Sequence, residues 1–269
     1  MIIGVPKEIK ISENRVGLTE AGVRQLVHEG HQVFVQKDAG LGCFITNEDY
    51  IDAGAKLLDT AKEIYDTADM IVKVKEPLPD EYDLLKENQI LYTYLHLAAE
   101  PQLTKVLCER KVKAVAYETI EDGKGGLPLL TPMSEVAGRM ATQVGAFYLQ
   151  RDKGGKGILL GGVTGVKRGR VTILGGGVVG VNAAQMAVGL GAEVRILDVN
   201  HSRLEYLDHI FNGQVTTIYS NQLNVEESVL ESDLVVGAVL LAGRKAPKLV
   251  TRKMVESMSE GSVVVDVAV

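Results

Sequence analysis

The sequence predicts an α/β protein built as two domains, each a mostly parallel sheet with helices on its faces. Two observations lead there. Short β-rich runs alternate with segments of helical apolar spacing along the chain, the pattern of parallel strands joined by crossover helices. The chain has 269 residues, 46% of them hydrophobic, and single cores rarely grow much beyond roughly 250 residues.

In the first half the β-rich runs are "MIIGV", "HQVFV", "DMIVKV", "QILYTYL" and "VKAVAY". Between them "EAGVRQLVHE" reads as a helix capped by Thr19 and stopped at Gly30. "PQLTKVLCERK" reads as a helix whose basic residues fall in the last turn, where they suit the helix dipole. Thr131 and Pro132 supply a cap and a first position for a long helix over "SEVAGRMATQVGAFYLQR", which joins the halves. The nineteen residues "DKGGKGILLGGVTGVKRGR" contain seven glycines, too many for a regular helix, and predict an exposed connecting loop.

The second half resumes the alternation. Its strands are "RVTIL", "AEVRILD", "VTTIYS", "LVVGAV" and "SVVVDVAV"; its helices are "VVGVNAAQMAVGL", "HSRLEYLDHI", "VEESVLES" and "TRKMVESM". The closing run "VVVDVAV" reads as a buried strand carrying one acid, Asp266.

Gly175, Gly177 and Gly180 stand in GxGxxG spacing, directly after one strand and opening a helix, with Val178 and Val179 between the last two. Such a triplet is weak alone and informative in this setting. The first glycine permits a tight turn, the second lets backbone approach a pyrophosphate, and the third allows close helix packing at a helix N-terminus that favours anions. The next strand ends in Asp198, 23 positions after Gly175, where an acid accepts hydrogen bonds from a ribose and disfavours a 2′-phosphate. NAD is therefore the expected cofactor, although Arg195 and Arg203 nearby leave NADP open. The fold class becomes two Rossmann-like domains with a nucleotide site in the cleft between them.

A dinucleotide supplies hydride chemistry, so the other half must hold the substrate and move protons. Arg15 lies in the loop "ISENRVGLTE", Lys75 ends "DMIVKVKEP", and His96 ends "QILYTYLHL"; all three follow or finish a strand, the edge where open α/β sheets bind ligands. Arg15 can grip a carboxylate with a two-point fork, Lys75 can polarise a carbonyl, and His96 can shuttle a proton near neutral pH. Each also has a structural reading. Arg15 can be a solvated charge, Lys73 and Lys75 can both face water from one strand, and His96 can be a hydrogen-bonded structural histidine.

Composition narrows the alternatives. Residues 1–130 hold 15 Lys and Arg against 22 Asp and Glu, and the remainder 14 against 13, which leaves no basic face for nucleic acid. The two cysteines, Cys43 and Cys108, lack metal-ligand spacing, and neither His28 and His31 nor His201 and His209 have ligand company, so no metal is expected. Cysteine usage fits a reducing cytoplasm, and no run approaches the length of a signal peptide core or a membrane span.

The stretches "KEIKISENRVGLTEAGV", "VKVKEP", "LHLAAEP", "TPMSEVAGRMATQVGAFYL" and "GGVTGVKRGRVTILGGGVVGVNAAQMAVGLGAEVRILD" closely resemble the bacterial alanine dehydrogenases, and the resemblance runs from residue 1 to residue 269. It implies reversible oxidative deamination of L-alanine to pyruvate and ammonium, with NAD as hydride acceptor, in a homohexamer. Residues 1–130 would form the substrate domain and 131–269 the NAD-binding Rossmann domain. Arg15 and Lys75 match the family's substrate-binding pair and His96 its catalytic acid/base. Ser134, Val178, Asp198, Arg203, Ser220, Val239, Leu240, Val267, Ala268 and Val269 match positions that line the cofactor.

The NAD-binding subunit of proton-translocating transhydrogenase resembles the same plan, but lacks the Lys75 and His96 pair at the matching strand ends. Alanine dehydrogenases continue past "VVVDVAV" with a catalytic aspartate and a segment that returns to complete the substrate domain. The resemblance therefore implies a chain shortened at its C-terminus, with a non-catalytic NAD-binding fragment as the alternative.

Overall fold

The computed structural model describes residues 1–239 and 248–267. The chain forms two compact units, Met1–Leu127 and Pro128–Val269. The first runs β1 (Ile2–Val5), α1 (Glu20–His28), β2 (Gln32–Gln36), α2 (Asn47–Asp52), β3 (Lys56–Leu58), α3 (Ala61–Thr67), β4 (Met70–Val72), α4 (Pro79–Tyr82), β5 (Ile90–Thr93), α5 (Pro101–Glu109) and β6 (Lys113–Ala116). Its strands are all parallel, in the order β3-β2-β1-β4-β5-β6.

Parallel strands covered on both faces read as apolar runs, which is why β1, β2, β4 and β5 were legible. Ile3, Val5, Val33 and Val35 pack with Val23 of α1 and Tyr50 of α2 in one cluster. Ile71 and Leu91 pack with Ile64, Tyr65, Leu103 and Leu107 in another. Each fully buried aliphatic side chain here contributes about 1.5–3 kcal/mol. Four elements escaped the pattern: α2, β3, α3 and α4. Both α2 and α3 open on capping boxes, Thr46 with Asp49 and Thr60 with Glu63.

The second unit runs α6 (Thr131–Tyr148), β7 (Arg170–Leu174), α7 (Val178–Gly189), β8 (Glu193–Asp198), α8 (His201–Phe211), β9 (Val215–Tyr219), α9 (Gln222–Glu231), β10 (Leu234–Gly237), α10 (Arg252–Ser257) and β11 (Val263–Asp266). Its strands are also parallel, in the order β11-β10-β7-β8-β9. Ala183, Ala184 and Ala187 let α7 lie close on Val171, Ile173, Val194 and Ile196.

Several local expectations need correction. The run "VVVDVAV" is not a buried strand: β11 is the last strand of its sheet, its residues alternate in exposure, and Val264 is 41% exposed. Thr131 is not a cap, because α6 begins on it after Leu130, with no side-chain cap. In α5 no basic residue lies in the last turn: Lys105 precedes it, and Arg110 is the cap residue and donates to the Leu85 carbonyl at 3.3 Å. The glycine-rich connection forms no helix after Lys153, yet it is partly packed, with Gly155 and Leu160 buried and Lys156 paired with Asp233 at 2.5 Å. Among the described residues no helix is long and apolar enough to cross a membrane.

Candidate active site

In both sheets the chain lays strands outward from a central strand and then returns to its other side. It goes from β1 to β2 and β3 before β4, and from β7 to β8 and β9 before β10. Each reversal opens a crevice at the carboxyl ends of the strands, between β1 and β4 in the first unit and between β7 and β10 in the second.

The loops after β1, β4 and β5 converge at the first crevice. Lys73, just past β4, is fully buried and does not face water: its ammonium bridges Glu8 Oε2 at 3.3 Å and Glu81 Oε1 at 2.8 Å. Tyr65 donates its hydroxyl to the same Glu81 oxygen at 3.1 Å. Glu8 Oε1 accepts the N–H of Val74 at 2.6 Å and of Lys75 at 3.4 Å. Burial pushes the Glu8 carboxyl up, and Lys73 with the two N–H groups pulls it only part of the way back. This buried cluster fixes the backbone that carries Lys75, and Thr93 adds a hydroxyl bond to the Lys75 carbonyl at 2.9 Å. The Lys75 ammonium has no hydrogen-bond or ion-pair partner among the described residues, so it is free to meet an anion.

Arg15, in the loop after β1, has its guanidinium forked on Glu13, Nε to Oε1 at 2.8 Å and one terminal nitrogen to Oε2 at 2.5 Å. The hydrogen bond from Arg15 holds the Glu13 carboxyl below its usual range despite burial, and Lys75 also acts on it. Arg15 is therefore oriented by an acid two residues away while its side chain stays 39% exposed.

His96 is half-exposed and has φ 51°, a left-handed conformation that histidine tolerates better than most residues. Glu118, in the turn Tyr117–Thr119, anchors this backbone by accepting the N–H of His96 at 2.7 Å and of Leu95 at 3.1 Å. Tyr94 lies beside the imidazole, ring centroids 6.3 Å apart. Glu76 Oε2 lies 3.7 Å from His96 Nδ1, while Glu76 Oε1 pairs with Lys10. Sequence patterning missed Glu8, Glu13, Glu76, Glu81 and Glu118; the acid-rich run "KEPLPDEY" was the available signal.

In the second unit the glycine loop has the geometry a dinucleotide requires. Gly175 has φ 105°, and a Cβ there would lie 2.9 Å from the Ala238 carbonyl of the neighbouring strand end. A Cβ on Gly180 would lie 1.9 Å from the Gly175 carbonyl, so α7 rests directly on the loop. A Cβ on Gly177 would meet nothing within 4 Å. Gly177 is also the N-cap of α7 and offers no side-chain cap, which leaves first-turn N–H groups for phosphate oxygens. Val178 is exposed at that helix start and Val179 is buried.

Asp198 ties the loop to β8: Oδ2 accepts from Gly176 N at 2.7 Å and Oδ1 from Asn200 N at 2.8 Å. Each oxygen keeps a second lone pair for a ribose hydroxyl. Arg203 donates to the Gly176 carbonyl at 2.5 Å and stacks on Tyr206, while Arg195 pairs with Glu231 at 2.8 Å. Both arginines are thus engaged within the fold, which favours NAD over its 2′-phosphate form. Ser220 bonds backbone-to-backbone to Asp198 at 2.9 Å, Val239 packs at the Gly175 turn, Ser134 lies in the first turn of α6, and Val267 follows β11. Leu240, Ala268 and Val269 lie outside the described residues.

The two glycines separate folding from binding. Gly180→Ala should lower stability by about 1–3 kcal/mol through overpacking. Gly177→Ala should leave the melting temperature unchanged and raise the NADH dissociation constant about tenfold or more, about 1.4 kcal/mol, by filling the space for the pyrophosphate. Fluorescence titration and thermal unfolding of both variants measure this; unchanged NADH affinity in Gly177→Ala would contradict it.

One parallel α/β unit with this glycine loop, and a second whose strand ends carry cations and a histidine, define a dinucleotide-dependent oxidoreductase. Residues 4–137 match the family described as alanine dehydrogenase/PNT, N-terminal domain, and residues 141–269 its C-terminal domain. The chain belongs to the alanine dehydrogenase/PNT family.

It is 60% identical over all its 269 residues to an alanine dehydrogenase of Methanococcus maripaludis, covering 72% of that protein. Its fold is similar to that of a solved L-alanine dehydrogenase, with a TM-score of 0.93 at 55% identity over the whole chain and 74% of the other. It is also similar to a transhydrogenase from Sinorhizobium meliloti, with a TM-score of 0.84 at 28% identity over the whole chain and 78% of the other.

Proposed function

We propose that the protein catalyses the NAD-dependent, reversible oxidative deamination of L-alanine to pyruvate and ammonium. What supports this reading is that Arg15, Lys75 and His96 lie in the loops that follow the neighbouring strands β1, β4 and β5, in a chain this similar to alanine dehydrogenases. The free Lys75 ammonium is the feature that most specifically suits a small α-amino or α-keto acid.

NAD, held at the glycine loop and Asp198, would supply the acceptor for the hydride of the substrate Cα. Arg15 takes the substrate carboxylate, sharing or exchanging it with Glu13, and fixes the substrate by two parallel bonds. Lys75 stands where negative charge gathers on the substrate oxygen and stabilises it. Water then adds to the imino acid. His96 accepts a proton as the carbinolamine forms and returns it as ammonia leaves. The balanced reaction converts L-alanine, NAD⁺ and water to pyruvate, ammonium, NADH and a proton. Gly175, Gly177, Val178, Val179, Gly180 and Asp198 hold the dinucleotide in this reading. Assembly as a homohexamer in the cytoplasm belongs to the same proposal and rests on the resemblance to the family.

The test follows NADH absorbance with pyruvate and ammonium. Oxidation that needs both co-substrates is the expected result. NADH binding without turnover would favour a dinucleotide-binding role instead, and turnover without ammonium would overturn the amino-acid assignment.

A further inference from the structure

The strongest unexplained feature is Glu76. It is 5% exposed, one of its oxygens is paired with Lys10, and Oε2 is buried without a hydrogen-bond partner among the described residues. A buried carboxylate oxygen left unbonded is costly, so its retention calls for a use. The imidazole of His96 faces this oxygen, with Nδ1 at 3.7 Å. That gap is just beyond a hydrogen bond, and a small turn of a half-exposed ring closes it; catalytic hydrogen bonds are often long until substrate binds.

We propose that Glu76 is a positioning residue for His96: its unbonded oxygen takes the Nδ1–H of the ring and leaves Nε2 as the nitrogen that exchanges protons with substrate. The inference rests on His96 as the acid/base. Three constraints then define the imidazole. Glu118 fixes the backbone in its left-handed conformation, Tyr94 lies beside the ring, and Glu76 selects the tautomer.

Lys10 completes the arrangement. Burial alone pushes the Glu76 carboxyl up, but the hydrogen bond from Lys10, its own backbone N–H and nearby His96 outweigh burial and hold it below its usual range. Glu76 is therefore held as a carboxylate near neutral pH. It also acts on Tyr82 at the end of α4, which in turn feels Glu100 at the start of α5. With Glu118 and Tyr94 on the His96 side, these are the ionisable groups that act on the pair among the described residues.

The test reads the ring directly. The protein has five histidines, so isotope-labelled histidine gives few NMR signals, and His96 is assigned by the one lost in His96→Gln. Without substrate, the preference for the Nδ1–H tautomer should largely vanish in Glu76→Gln, because a neutral amide is a weaker acceptor for Nδ1–H than a carboxylate. Glu76→Asp should recover part of that preference, and Glu76→Ala takes the place of Glu76→Gln if that variant does not fold. An unchanged tautomer in folded Glu76→Gln or Glu76→Ala would overturn the proposal. The NMR measurement does not need turnover, so it stands or falls separately from the assay of alanine deamination.

Discussion

His96→Ala should lower turnover with pyruvate and ammonium by about 10²–10⁴-fold, the usual worth of a positioned acid/base, while NADH binding stays unchanged. His96 belongs to the first unit, Met1–Leu127, and the glycine loop to the second. The substitution also removes little packing, because the ring is half-exposed and its backbone anchor at Glu118 remains available to alanine's N–H. Left-handed φ costs alanine more than histidine, so a small loss of stability is expected alongside. A variant that kept wild-type turnover would make His96 structural and remove the proton-transfer step from the mechanism.

Lys73→Ala should be the most damaging single change to stability, at about 3–5 kcal/mol, or roughly 10 °C in melting temperature. Lys73 is fully buried between Glu8 and Glu81, with Tyr65 hydrogen-bonded to Glu81. Its loss leaves two buried carboxylates with no cation between them, and the charge, more than the cavity, sets the cost. The loop they anchor carries Lys75, so KM for pyruvate should rise in whatever fraction folds. Adding Glu8→Gln and Glu81→Gln to Lys73→Met removes the charges together and should recover most of the lost stability. Equal melting temperatures for wild type and Lys73→Ala, measured by calorimetry, would show the cluster to be inert.

How much of this was legible depended on the range of the forces involved. Strands such as β10 stood out because both faces of a parallel sheet are covered and the residues are apolar without break, and β7 because only Thr172 interrupts its apolar run after Arg170. β3 did not, being three residues at a sheet edge and only partly buried. α2 and α3 were legible in principle, since "TNED" and "TAKE" both carry the capping-box spacing.

The candidate site divides the same way. Arg15, Lys75 and His96 could be picked out because strand ends in α/β sheets are where ligands bind, a rule that needs only local pattern. Their supporting acids could not. Glu8 reaches Val74 across 66 residues and Glu118 reaches His96 across 22, contacts created by strand order. The same limit explains Lys73, whose alternation with Lys75 suggested solvent when the fold supplies two buried carboxylates. Asp198 was found by spacing, but its bonds to Gly176 and Asn200 show a structural duty that spacing does not reveal.

The most direct measurement uses L-alanine carrying deuterium at Cα. With the protein and NAD⁺, the account predicts NADH one mass unit heavier than normal, formed in equal amount with pyruvate and lost in Arg15→Ala at substrate concentrations that saturate wild type. Unlabelled NADH, or pyruvate released without NADH, would contradict direct hydride transfer from the alanine Cα.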